Sequence, residues 1–267
     1  MNHRFENELI QTKNLRLSCS VSGSEHAPWI TLAHSLATDK KMWELQLPAL
    51  NDHFQVLSFD ARGHGKSDVP NGPSSMSDLL QDVLGLWDHF NIVRSHFVGL
   101  SMGGMTGVGL ALKYPDRLLS LAACDCRLDS PEFFKNMWDQ RIETVRKQGM
   151  QGVVDATIGT WFTQQRLLAG GELIDRIRNM ITSTNPSGYI SCAQALKHLS
   201  YKVSLSDLRV PTLYLVGEHD GPHPVEMESL AALSPGAQFS TIADAAHLSN
   251  LEQPQRFNAE LMCFLKD

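Results

Sequence analysis

The 267-residue chain has no excess of positive charge, no long apolar run and no even set of cysteines. Lysine and arginine total 23 against 29 aspartate and glutamate, a formal net charge of −6. With no basic cluster either, this argues against nucleic acid as a partner. No apolar stretch approaches the roughly 20 residues of a membrane span, so no membrane association is expected. The opening Met1-Asn2-His3-Arg4-Phe5-Glu6-Asn7-Glu8 is polar and lacks the apolar core of a secretion signal. The cysteines, Cys19, Cys124, Cys126, Cys192 and Cys263, are odd in number and scattered. That favours reduced thiols in a cytoplasm over a disulfide framework. Cys124-x-Cys126 has no second pair at ligand spacing and reads as two small residues closing a buried strand. The eleven histidines form no His-x-His or H-E-x-x-H array, so no metal is expected.

The composition, 42% hydrophobic and 19% charged, suits one α/β domain with an insert. Short β-rich runs at 15–21, 29–33, 55–59, 96–100, 118–124, 212–216 and 238–242 alternate with helical patterns at 43–50, 76–90, 102–113, 225–233 and 254–265. Most of the runs are nearly continuous in apolar residues, as when helices cover both sheet faces. The expected fold is therefore a mostly parallel, doubly wound sheet. Residues 131–206 break the alternation. They carry helical patterns at 133–148, 152–161, 172–183 and 188–198 and no convincing strand. This block reads as a helical cap over the strand ends, inserted into a core of 1–130 and 207–267.

Gly99-Leu100-Ser101-Met102-Gly103 is the chemically informative stretch. Its G-x-S-x-G pattern lies between the apolar run Ser95-His96-Phe97-Val98 and the helical pattern from Met105 to Lys113. Such a strand–turn–helix junction is tight enough to strain the serine backbone and thrust its hydroxyl into a cleft. A serine alone is a weak nucleophile, so a base and an orienting acid are required elsewhere.

His247, in Ala245-Ala246-His247-Leu248-Ser249-Asn250, follows the last expected strand and is the candidate base. Asp220 closes Val216-Gly217-Glu218-His219-Asp220 directly after the preceding strand and is the favoured acid, holding the imidazole tautomer through Nδ1. Asp125, at the end of 118–124, is the alternative acid; its bland reading is a loop cap. The oxyanion hole is expected to combine the N–H of Met102 with that of Leu36, in the loop His34-Ser35-Leu36-Ala37-Thr38-Asp39. Gly65-Lys66-Ser67 is not a phosphate loop, because Asp60 stands where the first glycine belongs. The stretch Asp60 to Ser67 reads instead as a structural turn with His64 inside it.

These residues resemble the α/β-hydrolase superfamily, and within it the 3-oxoadipate enol-lactonases. The resemblance runs through nearly the whole chain. It rests on Ser35-Leu36-Ala37-Thr38-Asp39 with Met42-Trp43, on Asp60 to Ser67, on Gly99 to Gly107, on Gly149-Met150, on Trp161-Phe162-Thr163 and on Ala246 to Glu252. Enol-lactonases usually carry asparagine and glycine where this chain has His34 and Ala37. The resemblance implies attack of Ser101 on a lactone carbonyl, proton transfer through His247, and hydrolysis of the acyl-enzyme to a keto acid, with no cofactor. A substrate of that kind bears a free carboxylate, so a cation should face the pocket. Arg141, near Trp138, is the candidate, with His34, Trp138 and Trp161 as further pocket residues.

The partner expected is thus a small lactone or ester, and a homo-oligomer is compatible with the sequence. Three other readings share the motif: an esterase or C–C bond hydrolase, a slow-turnover small-molecule receptor, and a cofactor-independent oxygenase or perhydrolase.

Overall fold

The computed structural model describes residues 3–266. Eight strands form one sheet: β1 (His3–Gln11), β2 (Arg16–Gly23), β3 (Trp29–Ala33), β4 (Gln55–Phe59), β5 (Ser95–Leu100), β6 (Leu118–Cys124), β7 (Thr212–Gly217) and β8 (Gln238–Ile242). The spatial order is β1-β2-β4-β3-β5-β6-β7-β8. The pairs β1–β2 and β2–β4 are antiparallel, and every pair from β4 to β8 is parallel. The helices in chain order are α1 (Leu47–Asn51), α2 (Met76–His89), α3 (Met102–Lys113), α4 (Glu132–Gln148), α5 (Gln151–Trp161), α6 (Gln164–Ala169), α7 (Glu172–Ser183), α8 (Pro186–Lys197), α9 (His223–Leu233), α10 (Ser249–Glu252) and α11 (Pro254–Lys266). None is long and apolar enough to cross a membrane.

The apolar runs lie where the sequence puts them. Every residue of β4 is buried, as is every residue of β7. Helices on both faces require this of a central parallel strand. On one side, Trp87 of α2 reaches the sheet and donates its Nε1–H to Thr31 Oγ1 at 2.9 Å. Ser75 opens α2 with a capping box to Asp78.

Three local features differ from expectation. β1 reads as a polar tail in the sequence, yet it adds an antiparallel edge strand. Phe5 and Leu9 there are exposed and Ile10 is buried. An edge strand with two register irregularities and glutamates on it gives little periodic signal. The helix expected over 43–50 is split into a single 3-10 turn, Lys40–Trp43, and α1. Pro48 explains the break: it has no N–H, and its ring clashes with the carbonyl four residues back in a continuous helix. The short α6 was too brief to register as a pattern.

Between β6 and β7 the chain forms α4 to α8, with only an isolated bridge, Asp129 to Ser200, in place of a strand. Tyr201 and Lys202 both donate their N–H to the Leu128 carbonyl, at 2.8 and 3.0 Å. The segment therefore leaves and re-enters the sheet layer at one place.

Candidate active site

The carboxyl ends of the parallel strands converge on one edge of the sheet, where open α/β sheets bind ligands. His34 follows β3, Asp60 follows β4, Ser101 follows β5, Asp125 follows β6, Asp220 stands three residues after β7, and His247 lies in the loop after β8. A cavity of about 420 Å³ opens there, lined among others by Leu36, Ser101, Trp138, Arg141, Trp161 and His247.

Ser101 caps α3 with φ 55° and ψ −114°. A non-glycine residue in that region is strained by about 1–3 kcal/mol and persists only where the surroundings enforce it. Here they do. A Cβ on Gly99 would lie 2.2 Å from the Gly103 carbonyl, and a Cβ on Gly103 would lie 2.1 Å from the Ala33 carbonyl oxygen. Strand and helix thus meet backbone to backbone, while the Ser101 N–H is tied to Cys124 O at 2.8 Å.

His247 donates Nδ1–H to Asp220 Oδ2 at 2.9 Å, which leaves Nε2 as its unprotonated nitrogen. Its ring stacks on Trp161, centroids 6.0 Å apart and planes 25° from parallel. Asp220 is buried, which alone would disfavour its charge. The facing His247 and His223 overcome this and hold the carboxyl well below its usual range. Asp125 behaves oppositely. Burial and the neighbouring Asp220 charge push it well above the usual carboxylate range. It makes no bond to His247: Oδ1 accepts the Gly217 N–H at 2.8 Å and Oδ2 pairs with Ser249 Oγ at 2.5 Å. Two adjacent carboxyls are thus pushed in opposite directions, Asp220 toward its charged form and Asp125 toward its neutral one.

The loop after β3 is held by two neutral histidines. His34 Nε2 accepts the Ala61 N–H at 2.8 Å, and its Nδ1 donates to Ser35 O at 2.7 Å. His64 Nε2 accepts the Ala37 N–H at 3.0 Å, and its Nδ1 donates to Arg62 O at 2.9 Å. Burial lowers both, His64 to about 3. His64 therefore fixes Ala37, which sits at φ 63°. On either side of Leu36, the Ser35 N–H goes to Met42 Sδ and the Ala37 N–H to His64. The Leu36 N–H between them has no acceptor among the described residues. The Met102 N–H belongs to the first helical turn, whose donors lack intrahelical partners.

The expected pocket residues divide. Trp138, Arg141 and Trp161 line the cavity; His34 does not, because its ring is 1% exposed and spent on Ala61 and Ser35. Arg141 lies over the Trp138 ring at 5.8 Å and, among the described residues, has no ion-pair partner. Arg127, also on the cavity wall, is committed to Asp129 at 2.8 Å and to Glu226 at 3.6 Å. Trp138 Nε1 is buried with no partner among the described residues.

Sequence reasoning gave no role to two contributors. His223, at the start of α9, faces Asp220; an Asp-x-x-His spacing at a helix start was the available signal. Glu252 accepts from the N–H of Thr163 and of Ala246, each at 3.0 Å, and from the Thr163 hydroxyl. As to metals, Asp220, His223 and His247 have polar atoms within 4.8 Å of one another, as do the exposed Glu218, His219 and Asp244. In the first trio His247 Nδ1 is hydrogen-bonded to Asp220 Oδ2 at 2.9 Å, while His223 Nδ1 lies 3.3 Å from the same oxygen and is bonded to the Asp220 carbonyl oxygen at 3.1 Å.

Residues 28–254 match the family model described as alpha/beta hydrolase fold. The chain is 32% identical to 3-oxoadipate enol-lactonase 1 of Acinetobacter baylyi over 94% of its own length and 93% of that protein. Among solved structures, the enol-lactonase from Burkholderia xenovorans LB400 superposes with a TM-score of 0.93 at 36% identity, covering 97% of this chain and 100% of that one. A thermophilic esterase from Thermogutta terrifontis, malate bound, gives 0.91 at 33%, covering 98% of each.

Proposed function

Given that the chain belongs to the alpha/beta hydrolase fold family, we propose that it is a serine hydrolase opening a small carboxylated lactone, an enol-lactone such as 3-oxoadipate enol-lactone. One observation carries the reading. His247 is bonded to Asp220 at 2.9 Å through Nδ1 and lines the same cavity as the strained Ser101.

In this mechanism Nε2 of His247 takes the Ser101 proton as Oγ attacks the lactone carbonyl. The developing oxyanion is received by the N–H groups of Leu36 and Met102. Asp220, ionised, stabilises the imidazolium that forms. The ring C–O bond breaks and the enolate leaves while still tethered to the acyl group. It takes up the proton held on His247 and becomes a ketone, which returns His247 to its neutral form. Water, deprotonated by His247, then attacks the ester carbonyl, and Ser101 regains its proton as it departs.

Arg141 supplies the cation for the substrate carboxylate, and the unpartnered Trp138 Nε1 supplies a donor beside it. Residues 131–206 act as the cap that shapes this end of the cavity, over a core of 1–130 and 207–267. No cofactor enters the chemistry. Five unpaired thiols suit a cytoplasmic setting. The relatives named for enol-lactone hydrolysis and the malate-bound esterase support a carboxylated substrate.

The test is a panel of lactones, enol-lactones and aryl esters assayed with wild type and Ser101→Ala. The reading expects turnover of a carboxylated enol-lactone that is abolished in Ser101→Ala. Turnover of aryl esters alone would make the protein a general esterase, and wild-type rates in Ser101→Ala would overturn the nucleophile.

A further inference from the structure

His223 is the first residue of α9, and its ring lines the cavity. Its Nδ1 stands 3.3 Å from Asp220 Oδ2 and 3.1 Å from the Asp220 carbonyl oxygen. The same Oδ2 receives His247 Nδ1 at 2.9 Å. The two imidazoles have centroids 5.8 Å apart. One carboxylate oxygen thus serves two histidines.

We propose that His223 is a positioning residue that shares Asp220 with His247 and must be neutral for His247 to act as the base. The inference rests on the Ser101–His247–Asp220 reading above. Both atoms facing His223 Nδ1 are acceptors, so that nitrogen carries a proton in either charge state. Titration therefore leaves the contact in place and changes only the charge of the ring. When His247 accepts the Ser101 proton it becomes a cation stabilised by Asp220. If His223 is already a cation, one carboxylate must serve two positive rings less than 6 Å apart. Their repulsion in a partly buried site slows acylation by about tenfold to a hundredfold.

The groups around His223 come from several elements. Asp220 and the exposed His219 lie in the loop after β7, and Glu226 lies one turn along α9. Asp125 stands behind Asp220 at the end of β6, and His247 comes from the loop after β8. Arg127, from beyond β6, is occupied with Glu226. Burial opposes a charge on His223, but Asp220 and Glu226 outweigh it, so it takes up a proton more readily than a free histidine. Its charge therefore appears at a higher pH than that of a free histidine, and the range that tests this is about pH 5 to 8.

The measurement is the pH profile of kcat/KM for wild type, His223→Asn and His223→Leu, with Ser101→Ala alongside. Wild type should show an acid limb steeper than one proton, approaching two. His223→Asn retains a donor to Asp220 but cannot charge. Its limb should fall to one proton, with an activity at about pH 5.5 that is about tenfold or more above wild type relative to each plateau. His223→Leu should also show one proton, with a lower plateau than His223→Asn because the donor is gone. A two-proton limb retained in His223→Asn, or a one-proton limb in wild type, overturns the proposal. If the variants do not fold, 15N-histidine spectra of the wild-type protein decide it. Two linked imidazole titrations support the proposal, and a His223 ring neutral throughout that range overturns it. Activity surviving in Ser101→Ala would instead indict the underlying triad reading, whatever the limbs show.

Discussion

The carboxylate of Glu252 accepts the backbone N–H of Thr163 at 3.0 Å, joining residues 89 positions apart. Its other oxygen takes the Ala246 N–H, next to His247, and Leu248 N–H donates to Trp161 O at 3.1 Å. His247 is therefore fixed from the α5 end as well as by Asp220. Glu252→Ala removes these charge-assisted bonds. It should lower the thermal midpoint by several degrees, corresponding to about 2–4 kcal/mol, and kcat by about tenfold or more through displacement of the imidazole. Calorimetry and steady-state rates on one preparation check both; an unchanged kcat would show that Trp161 stacking alone suffices.

Asp220 and Asp125 differ in partner, and substitution should reveal it. Asp220→Asn should reduce kcat/KM on the order of 10³- to 10⁴-fold, because the amide no longer enforces the His247 tautomer. Asp125→Asn should reduce it less than about tenfold. An amide can still accept from Gly217 N–H and donate to Ser249. With its raised pKa, ionising Asp125 works against the fold as pH rises above the free carboxylate value, so the amide should leave stability at neutral pH unchanged or higher. Parallel kinetics and urea unfolding check this pair.

The strain at Ser101 gives an inverse relation between activity and stability. Ser101→Gly should abolish turnover and raise stability by about 1 kcal/mol, since glycine tolerates φ 55°. Gly103→Ala should yield little folded protein, as its new methyl meets the Ala33 carbonyl oxygen. Melting curves and soluble yield are the readouts.

Acid should loosen the loop after β3. His34 and His64 are held neutral in the fold, whereas in the unfolded chain they titrate near about 6.5. Their contribution is complete above that value. It is lost as pH falls toward the folded value of His64, about 3. His223, raised, works the other way by one proton. The net expectation is stability falling from about pH 7 to 5, with His64→Gln reducing the slope by up to about 1.4 kcal/mol per pH unit. Unfolding free energies at three pH values test it.

Arg141→Met should raise KM for a carboxylated lactone by about tenfold or more and leave kcat and an uncharged aryl ester nearly unaffected. Equal effects on both substrates would remove the carboxylate role from Arg141.

The parts of the molecule legible in the sequence are those with a local cause. Apolar runs at 29–33, 55–59 and 118–124 reappear as β3, β4 and β6 with the same bounds. The glycines flanking Ser101 announce the junction that their missing side chains permit. What stayed hidden depends on partners distant in the chain. Nothing local marks Glu252 as reaching Thr163, or His223 as sharing an oxygen with His247. His34 looked like a pocket residue because it leads the loop, but its ring is turned to Ala61, supplied by the turn after β4. β1 is a strand only because β2 offers it an edge.

Asp129 and Ser200 face each other as an isolated bridge, with Tyr201 and Lys202 bonded to Leu128 beside it. The seventy residues between them thus leave and return at one doubly stitched stalk, and they are tied down again where Thr163 meets Glu252 and Ser191 meets Ser74. Closing such a stalk adds almost no entropy with length, because loop cost grows only logarithmically. Parts of the insert remote from Trp161 and Thr163 can lengthen or shorten while the sheet and Ser101 keep their positions; those two residues cannot change freely, because they hold the His247 loop. Under the proposed function, specificity would drift in those remote helices while Ser101 stays where the sheet puts it.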